Sequence, residues 1–389
     1  MSEIMNTQQI TGIVGAGTMG SGIALTAAAS GESVIVFDSV DTALQRSDVM
    51  IKSTLKQWVE KSKITSEQSD EIFKKVHFTS DLNDLSSCTL VIEAITEQIQ
   101  IKSDLFKKLE DVVAAETILA TNTSSLSITL LASGLKCPGR FLGLHFFNPA
   151  HIMPLVEVVS AIQTQTGIAE SARRRVETWK KICVNAKDTP GFIVNKVARP
   201  YYSEALRIFE ENLANIPTID FVMTTVGGFK MGPFQLMDFI GHDVNFTVTE
   251  TVWKSFFYDS RYRPSLAQQK LVEAGFLGKK SGRGFYDSQI SASTYESQIN
   301  HTKDLHIMIF NRIFAMLVNE AADTVYRTIC SREDLELAVT KGVNYPNGLF
   351  EWGEVFGYGK IIDILDTLQE RYREERYRVC PLLRDLAKV

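Results

Sequence analysis

Residues 10–38, ITGIVGAGTMGSGIALTAAASGESVIVFD, decide how the first half of the chain is expected to fold. A short β-branched apolar run leads into the glycine turn GAGTMG. An alanine-rich stretch typical of a helix follows, and then a second apolar run that ends at Asp38. This order of strand, glycine turn, helix, strand and acid is the pattern of a dinucleotide-binding βαβ unit. A GxGxxG motif alone is weak evidence, but here the flanking elements and the acid accompany it.

The residues of this turn each have a physical role in holding a dinucleotide. Gly15 would allow the tight turn, Gly17 would let the backbone approach a pyrophosphate, and Gly20 would let the helix pack closely on the strand. Asp38 could accept hydrogen bonds from the adenosine ribose, and its charge would repel a 2′-phosphate, so the sequence predicts NAD and not NADP. The predicted cofactor contacts in the turn are Gly15, Gly17, Thr18, Met19 and Gly20.

Strand-like and helix-like segments continue to alternate as far as about residue 188. This alternation predicts a doubly wound, mostly parallel sheet with helices on both faces. In such sheets ligands bind beyond the carboxyl ends of the strands. The polar cluster TNTSS (121–125) and His145, in GLHFFNP (143–149), both fall at or near strand ends, which favours a functional role for them.

The second half of the chain is helical, and its pattern repeats. TPGFIVNKVARPYYSEALRIFEEN (189–212) is interpreted as one long amphipathic helix. Asn195-Lys196-Val197 recurs 116 positions later as Asn311-Arg312-Ile313, and GPFQLMDFIG (232–241) recurs at the same offset as GLFEWGEVFG (348–357). We therefore predict an α/β chain with four parts. They are a Rossmann-type NAD-binding domain (1–188), a helical domain (189–287), a Ser-rich linker (288–304) and a repeated helical domain (305–389).

Composition narrows the class of protein. Hydrophobic residues make up 44% of the chain and charged residues 22%, which is ordinary for a globular protein. The net charge of −5 argues against nucleic acid as a partner, and no apolar run of membrane-spanning length argues for a membrane. The polar N-terminus lacks the order of a signal peptide, and the five scattered cysteines indicate reduced thiols, so a cytoplasmic location is expected. The six histidines show no metal-ligand spacing, and no metal is expected.

Two residues have the properties of an acid–base pair. His145 titrates near neutral pH and could take a proton from an alcohol. Glu157 lies in the apolar run LVEVV, where a carboxylate needs a partner, and a histidine would satisfy it. The alternative is that a backbone carbonyl satisfies His145 and that Glu157 lies on a sheet edge. Ser124 could bind a substrate oxygen or simply cap a helix, and Asn195 could be a surface residue.

Several motifs together resemble one family. They are GAGTMGSGIA, VIEAITE, TNTSSLSIT, GLHFFNPAHIMPLVEVV, DTPGFIVNK, GPFQLMDFIG and GKKSGRGFY. In this order they are similar to the L-3-hydroxyacyl-CoA dehydrogenases, which include the 3-hydroxybutyryl-CoA dehydrogenases. The resemblance covers residues 10–287 nearly continuously, and residues 305–389 resemble a second copy of the family's helical domain.

The resemblance implies a reaction and a set of site residues. The expected reaction is NAD-dependent oxidation of an L-3-hydroxyacyl-CoA to the 3-oxoacyl-CoA. It implies that His145 is the base, Glu157 its acidic partner, and Ser124 and Asn195 substrate-binding groups. Further cofactor contacts implied by the resemblance are Asp38, Glu97, Lys102, Asn148 and Lys280. The coenzyme A part of the substrate is matched to Thr54 and Lys61, with an alternative in which this segment is an ordinary solvated helix face.

Two other functions remain open at this point. One is a dehydrogenase of a free hydroxy acid, of the L-gulonate dehydrogenase or lambda-crystallin type, which would need no coenzyme A site. The other is a catalytically silent NAD-binding protein, although such a protein need not keep His145, Glu157, Ser124 and Asn195 together. The repeat also predicts either a monomer with an internal pseudo-dimer of helical domains or a homodimer.

Overall fold

One eight-stranded sheet organises the first of two compact units, residues 1–188. The structure is a computed structural model that describes residues 9–388. The strand order is β3-β2-β1-β4-β5-β6-β7-β8. The strands are β1 (Ile10–Val14), β2 (Ser33–Phe37), β3 (Val76–Thr79), β4 (Leu90–Glu93), β5 (Ile118–Thr121), β6 (Phe141–Phe146), β7 (Leu155–Ser160) and β8 (Ile182–Lys187). The helices of this unit are α1 (Thr18–Ala29), α2 (Asp41–Glu60), α3 (Ser66–Lys74), α4 (Ile99–Val112), α5 (Ile128–Ser133) and α6 (Thr166–Thr178).

The strand directions place the candidate residues at one edge of this sheet. Strands β1 to β6 are mutually parallel, β7 runs antiparallel to β6, and β8 runs parallel to β7. Central strands such as β4 and β5 are buried along their whole length, because helices cover both faces. The chain order reverses between β1 and β4, which opens a crevice at the carboxyl ends of these strands. The predicted mostly parallel α/β architecture is confirmed.

Residues 189–389 form the second compact unit, which is helical. Its first part contains α7 (Val194–Val197), α8 (Arg199–Glu210), α9 (Ile216–Thr225), α10 (Pro233–Ile240), α11 (His242–Ser255) and α12 (Leu266–Glu273). The short helix α13 (Ala292–Glu296) follows. The second part contains α14 (Lys303–Tyr326), α15 (Arg332–Gly342), α16 (Leu349–Phe356), α17 (Tyr358–Tyr372) and α18 (Pro381–Leu386).

The long helix expected from residue 189 onward is in fact two helices, so this prediction was wrong in detail. α7 ends at Val197, and α8 begins at Arg199 with Pro200 in its first turn. Proline has no backbone N–H and its ring crowds the preceding turn, so it interrupts a helix. The corresponding position of the second part is Met316, and α14 runs through it without a break for 24 residues.

Local geometry is duplicated in the two parts of the helical unit. An acid at the same position of each part caps the start of the corresponding helix. Asp220 accepts from Phe234 N at the start of α10 at 2.9 Å, and Glu336 accepts from Phe350 N at the start of α16 at 2.7 Å. The helix that follows ends on a glycine with positive φ in both, +99° at Gly241 and +97° at Gly357. We call α7–α12 the first repeat and α14–α18 the second repeat.

Buried ion pairs join the two repeats reciprocally. Glu204 of the first repeat accepts from Arg312 Nε of the second at 2.9 Å, and both side chains are at most 2% exposed. Glu320 of the second repeat, fully buried, pairs with Lys196 of the first. The same exchange holds for two tyrosines, because Tyr377 donates to Glu204 at 3.0 Å and Tyr262 donates to Glu320 at 2.5 Å. Each repeat therefore satisfies the buried acid of the other, as across a two-fold interface.

Helix α14 is the core helix of this unit. It is long and apolar enough to cross a membrane by length and composition, which the sequence expectation missed, but 72% of its most apolar 18-residue window is buried in the fold. It also carries buried polar groups, among them Arg312, Asn319 and Glu320, each of which has partners within the unit. This is the pattern of a helix enclosed by protein.

The segment predicted as a linker carries a short helix that the sequence analysis did not anticipate. Within residues 288–304, α13 spans Ala292–Glu296. Asn215 donates to Gln298 O at 2.8 Å, and Asn300 N donates to the Thr218 hydroxyl at 2.9 Å. The segment is thus attached to the start of α9. The N-terminal stretch interpreted as lacking a signal peptide lies, apart from residue 9, outside the described residues.

Candidate active site

The glycine turn after β1 has room for an anionic group. Gly15 has a φ of +105°, which favours glycine, and a Cβ on it would lie 2.8 Å from Ala94 O. A Cβ on Gly20 would lie 1.8 Å from the Gly15 carbonyl oxygen. A Cβ on Gly17 would have no described atom within 4 Å, and no side chain caps the start of α1. Backbone N–H groups at the helix start therefore face open space, which suits a phosphate.

Asp38 is held beside this turn by backbone hydrogen bonds. Its Oδ2 accepts from Ala16 N at 2.8 Å, and its Oδ1 accepts from Val40 N at 3.0 Å. The carboxylate lies at the end of β2, next to the crevice between β1 and β4. This is the position from which an acid can bind a ribose. The turn and Asp38 together fit a dinucleotide such as NAD.

Glu97 organises the turn that carries Ser124. Its Oε1 accepts from Ser124 N at 3.1 Å and from the Ser125 hydroxyl at 3.0 Å, and it also bonds to the Thr123 hydroxyl. Burial acts to raise the pKa of Glu97, but Lys102 and these hydrogen bonds outweigh it and hold that pKa below its usual range. Glu97 is therefore charged at neutral pH, and it keeps the loop after β5 in one conformation.

Lys102 is buried between two carboxylates. Its Nζ lies 2.5 Å from Glu93 Oε1 and 3.3 Å from Glu97 Oε2, and its side chain is 1% exposed. Glu93, at the end of β4, also accepts from the Thr121 hydroxyl at 2.7 Å. Glu93 was not among the site residues predicted from the sequence. The available signal was the same as for Glu157, a carboxylate within an apolar strand.

His145 and Glu157 lie opposite each other on adjacent antiparallel strands, β6 and β7. His145 Nδ1 and Glu157 Oε2 are 2.6 Å apart. His145 is 6% exposed and Glu157 is fully buried. The spacing of twelve residues is what the hairpin-like β6–β7 connection requires to place the two side chains on one face. A buried carboxylate is costly unless it is paired, so this pair accounts for an acid in the middle of an apolar strand.

Thr54 and Lys61 line a common cavity in the first unit. The cavity has a volume of about 540 Å³ and lies between α2 and the loop that follows β6; its wall includes Trp58, His151 and Lys181. The Thr54 hydroxyl donates back to Met50 O at 2.9 Å. The two lysines of α2 itself, Lys52 and Lys56, do not belong here, because they line a separate depression and pair with acids of their own helix.

The charge in this cavity is positive and uncompensated. Lys181 donates to Ala150 O at 2.5 Å and to Met153 O at 2.8 Å, and has only these carbonyl partners within the described residues. Burial lowers the pKa of Lys181 to about 8. Burial, together with the nearby Lys181 and Lys63, also lowers the pKa of His151, whose buried Nδ1 has no described partner. An anionic ligand would relieve both effects.

The remaining predicted residues lie elsewhere. Asn148 is exposed in the loop after β6. Asn195 is half-buried in α7, and Lys280 pairs with Asp243 at 2.6 Å; both belong to the helical unit. Within the first unit, Glu97 contacts Ser124 and His145 contacts Glu157, and the glycine turn and Asp38 follow the carboxyl ends of β1 and β2 in the same sheet. No cluster of metal ligands occurs among residues 9–388.

The comparisons with known proteins give the following matches. The family described as 3-hydroxyacyl-CoA dehydrogenase, NAD binding domain, matches residues 10–189. The companion family, described as 3-hydroxyacyl-CoA dehydrogenase, C-terminal domain, matches twice, at residues 191–288 and 308–389. The two matches of one family coincide with the two helical repeats.

Individual relatives agree with the family matches. The 3-hydroxyadipyl-CoA dehydrogenase of Escherichia coli K12 is 36% identical, over 99% of this chain and 98% of its own. A probable 3-hydroxybutyryl-CoA dehydrogenase of Deinococcus radiodurans is 42% identical over 71% of this chain and 98% of its own. The crystal structure of a 3-hydroxybutyryl-CoA dehydrogenase from Escherichia coli K12 superposes with a TM-score of 0.92, at 36% identity and 99% coverage of both chains.

Proposed function

The chain belongs to the 3-hydroxyacyl-CoA dehydrogenase family, and from this premise we propose which residues carry out its reaction. It is an NAD-dependent oxidoreductase that converts a 3-hydroxyacyl-CoA to the 3-oxoacyl-CoA. The predictions of family, enzyme class and cofactor are confirmed. The observation that supports the site assignment best is the buried His145–Glu157 pair, 2.6 Å apart.

The glycine turn and Asp38 are proposed to hold the dinucleotide. Gly15, Gly17 and Gly20 leave the space and the backbone N–H groups for the pyrophosphate, and Asp38 accepts from the ribose. When bound, NAD accepts the hydride from C3 of the substrate. Thr18 and Met19 continue the turn into α1. The other proposed contacts with the cofactor are Glu97, Lys102, Asn148 and Lys280, of which Lys102 acts mainly by holding Glu97.

His145 is proposed to take the proton from the substrate hydroxyl. With Nδ1 held by Glu157, Nε2 is the nitrogen that acts as the base. The proton makes the imidazole cationic, and the buried Glu157 carboxylate stabilises that charge and keeps the ring in one orientation. A cation next to an anion in a buried site is favourable, whereas an isolated imidazolium there would be costly.

Ser124 and Asn195 are proposed to bind the substrate. The Ser124 hydroxyl forms no hydrogen bond with the described residues, and its backbone is fixed by Glu97, so it can donate to the oxygen on C3 as negative charge develops there. The side-chain amide of Asn195 could donate to the thioester carbonyl. This assignment is supported by the family resemblance. These roles require only small hydrogen-bond donors.

We propose that the cavity lined by Thr54, Lys61 and Lys181 binds the nucleotide end of coenzyme A. Its uncompensated cations suit phosphates, and Trp58 offers a ring for stacking on a base. A free hydroxy acid would have no group to place there, so the cavity favours a thioester substrate.

The test compares acetoacetyl-CoA with free acetoacetate in the presence of NADH, followed by the loss of nicotinamide absorbance. We expect rapid oxidation of NADH with the thioester and at least a hundredfold lower kcat/KM with the free acid. Replacing Lys61 with Gln should raise KM for acetoacetyl-CoA several-fold with little change in kcat, because a phosphate contact is lost. The matched control is Lys56→Gln, which removes a lysine of α2 that lies five residues before Lys61 and outside the cavity. Equal rates with both substrates, or equal effects of both variants, would contradict the proposal.

We also propose that the helical repeats pair as an internal pseudo-dimer and that the chain needs no second copy to complete its helical unit. The reciprocal pairs Lys196–Glu320 and Arg312–Glu204 support this arrangement. The mass in solution, measured by light scattering across a range of concentrations, tests it. A concentration-independent mass near 43.5 kDa is expected. A dimer that forms through α7–α12 and dissociates only with unfolding would contradict it.

A cytoplasmic location without nucleic-acid or membrane partners is proposed as well. It is supported by the net charge of −5 and by the cysteines, none of which forms a disulfide.

A further inference from the structure

A cavity of about 890 Å³ opens in the first helical repeat, between α8, α11 and the start of α12. Residues from all three elements line it, including Ser203, Trp253, Arg263 and Leu266. From these residues we propose that the cavity binds a small organic carboxylate with an apolar body. This inference does not depend on the assignment of the catalytic residues.

Two buried hydrogen-bond donors in this cavity have no partner. Ser203 is 8% exposed, and its hydroxyl bonds to no described residue. The indole Nε1 of Trp253 is also buried and unpaired among the described residues. Nearly all buried donors in folded proteins are paired with protein or ligand. These two donors line one cavity and are available to an acceptor group of a ligand.

The second repeat shows how the same position is closed when no ligand is needed. Asn319 occupies the place of Ser203 and is 1% exposed. Its Nδ2 donates to Arg378 O at 3.0 Å, and its Oδ1 accepts from Cys380 N at 2.8 Å, so its side chain bridges α14 to the start of α18. Serine is too short to make this bridge. The bridge that Asn319 makes in the second repeat is therefore missing at the cavity of the first repeat.

Arg263 supplies the charge for an anion. The other cations of the wall are already paired: Arg207 with Glu204, and Lys270 with Glu273. Glu210 caps the start of α12 by accepting from Ala267 N at 2.9 Å.

Arg263 is exposed and has no ion pair with any residue the structure describes. A guanidinium can bind a carboxylate through two parallel hydrogen bonds. Because Arg263 and Glu210 leave the wall without a net charge, the paired hydrogen bonds of the guanidinium, and not an excess of positive charge, are what would hold a carboxylate.

The apolar part of the wall accounts for the body of the ligand, beside the polar Ser265 and Gln269. Trp253, Pro264 and Ala267 form part of it, and Leu266 stands at the rim with 71% of its side chain exposed. The volume lies in the range of small-molecule sites. A linear carboxylate, with its head at Arg263, Ser203 and Trp253 and its chain along Leu266, satisfies every one of these features.

The experiment titrates the full chain with octanoate in a calorimeter, with butyrate and decanoate as a length series. We expect saturable binding of one octanoate per chain, stronger than butyrate. Arg263→Gln should weaken it at least tenfold, and Ser203→Asn, which copies the residue of the second repeat, should abolish it. The matched control is Arg378→Gln, the counterpart of Arg263 in the second repeat, which should leave binding unchanged.

Several outcomes would overturn the proposal. They are no heat of binding for any of the three carboxylates, equal loss of binding in Arg378→Gln, or competition by inorganic phosphate at similar concentration. Displacement of octanoate by acetoacetyl-CoA with no effect of Arg263→Gln would assign the binding to the catalytic site. Dehydrogenase activity and circular dichroism verify folding, and if Ser203→Asn does not fold, Arg263→Gln and Arg378→Gln decide the outcome.

Discussion

The two helical repeats have the same architecture but different residues at key positions. The capping acids, Asp220 and Glu336, and the buried acids, Glu204 and Glu320, occur in both. In contrast, the first repeat has a break at Pro200 and a cavity at Ser203, whereas the second has Met316 and Asn319 at these positions. We therefore expect that features common to both repeats stabilise the helical unit, whereas features found in one repeat serve a function of that repeat.

The largest effect is expected from breaking a shared feature. Glu320→Ala leaves the buried Lys196 and Arg261 to share Asp323 alone, and Glu204→Ala leaves the buried Arg207 without its acid. Each should lower the free energy of unfolding by about 3 to 5 kcal/mol, because a buried charge that loses its partner is costly. Urea unfolding followed by circular dichroism measures it. The control Glu250→Ala, in an exposed pair with Lys254, should cost less than about 1 kcal/mol. A small effect of either buried acid would show that the repeats do not depend on each other.

The next effect separates the function of the two repeats. Asn195 and Asn311 occupy the same position, and only Asn195 is proposed to contact substrate. Asn195→Ala should lower kcat/KM by about tenfold to a hundredfold, the value of one or two hydrogen bonds to a substrate. Asn311→Ala should leave kcat/KM within about twofold. Steady-state assays with acetoacetyl-CoA and NADH measure both, and equal losses would remove the functional distinction between the copies.

A smaller effect is expected at the glycines that end α10 and α16. Gly241 and Gly357 have φ near +100°, which alanine rarely adopts. Alanine at either site should cost roughly 1 to 3 kcal/mol of stability. Gly241→Ala should also disturb Lys280, because the new Cβ would lie 3.1 Å from its Nζ, and so raise KM for NADH. Gly357→Ala should leave KM for NADH unchanged; a rise there would count against the role of Lys280.

The smallest effect concerns pH and the capping acids. Burial raises the pKa of Asp220 to about 7 and raises that of Glu336. Because the folded state holds this proton more tightly than the unfolded state does, the protonated Asp220 carboxyl contributes to stability. That contribution is fully present below about pH 4 and is lost as the pH rises through 7. Between pH 5 and 6 the free energy of unfolding of the wild type should therefore fall by on the order of 1 kcal/mol per pH unit more than that of Asp220→Asn. Unfolding curves at several pH values measure this, and parallel pH profiles would show that Asp220 keeps an ordinary pKa.

The sequence was sufficient for features set by local patterns. The glycine turn and the apolar strands each follow from nearby residues, and the structure agrees with them. The repeat was visible because two segments of the sequence match at one offset, and Gly241 and Gly357 have the same positive φ. The pairing of His145 with Glu157 was also within reach, since a carboxylate in an apolar strand requires a partner.

Features set by contacts between distant residues were not predictable from one sequence. Glu93 binds Lys102 in the fold, but no local pattern joins them. The exchange between Lys196 and Glu320 spans 124 positions and depends on how two helices pack. The break at Pro200 was visible in the sequence, but the amphipathic pattern on both sides outweighed it in our interpretation.

The most direct test of the whole account is the activity of His145→Gln with acetoacetyl-CoA and NADH, together with NADH affinity measured by fluorescence. Glutamine keeps a polar group near Glu157 but cannot act as the base. We predict a fall in kcat of about a hundredfold to ten-thousandfold, with the Kd for NADH unchanged within about twofold. Turnover close to that of the wild type, with NADH still bound, would contradict the assignment of His145 as the base.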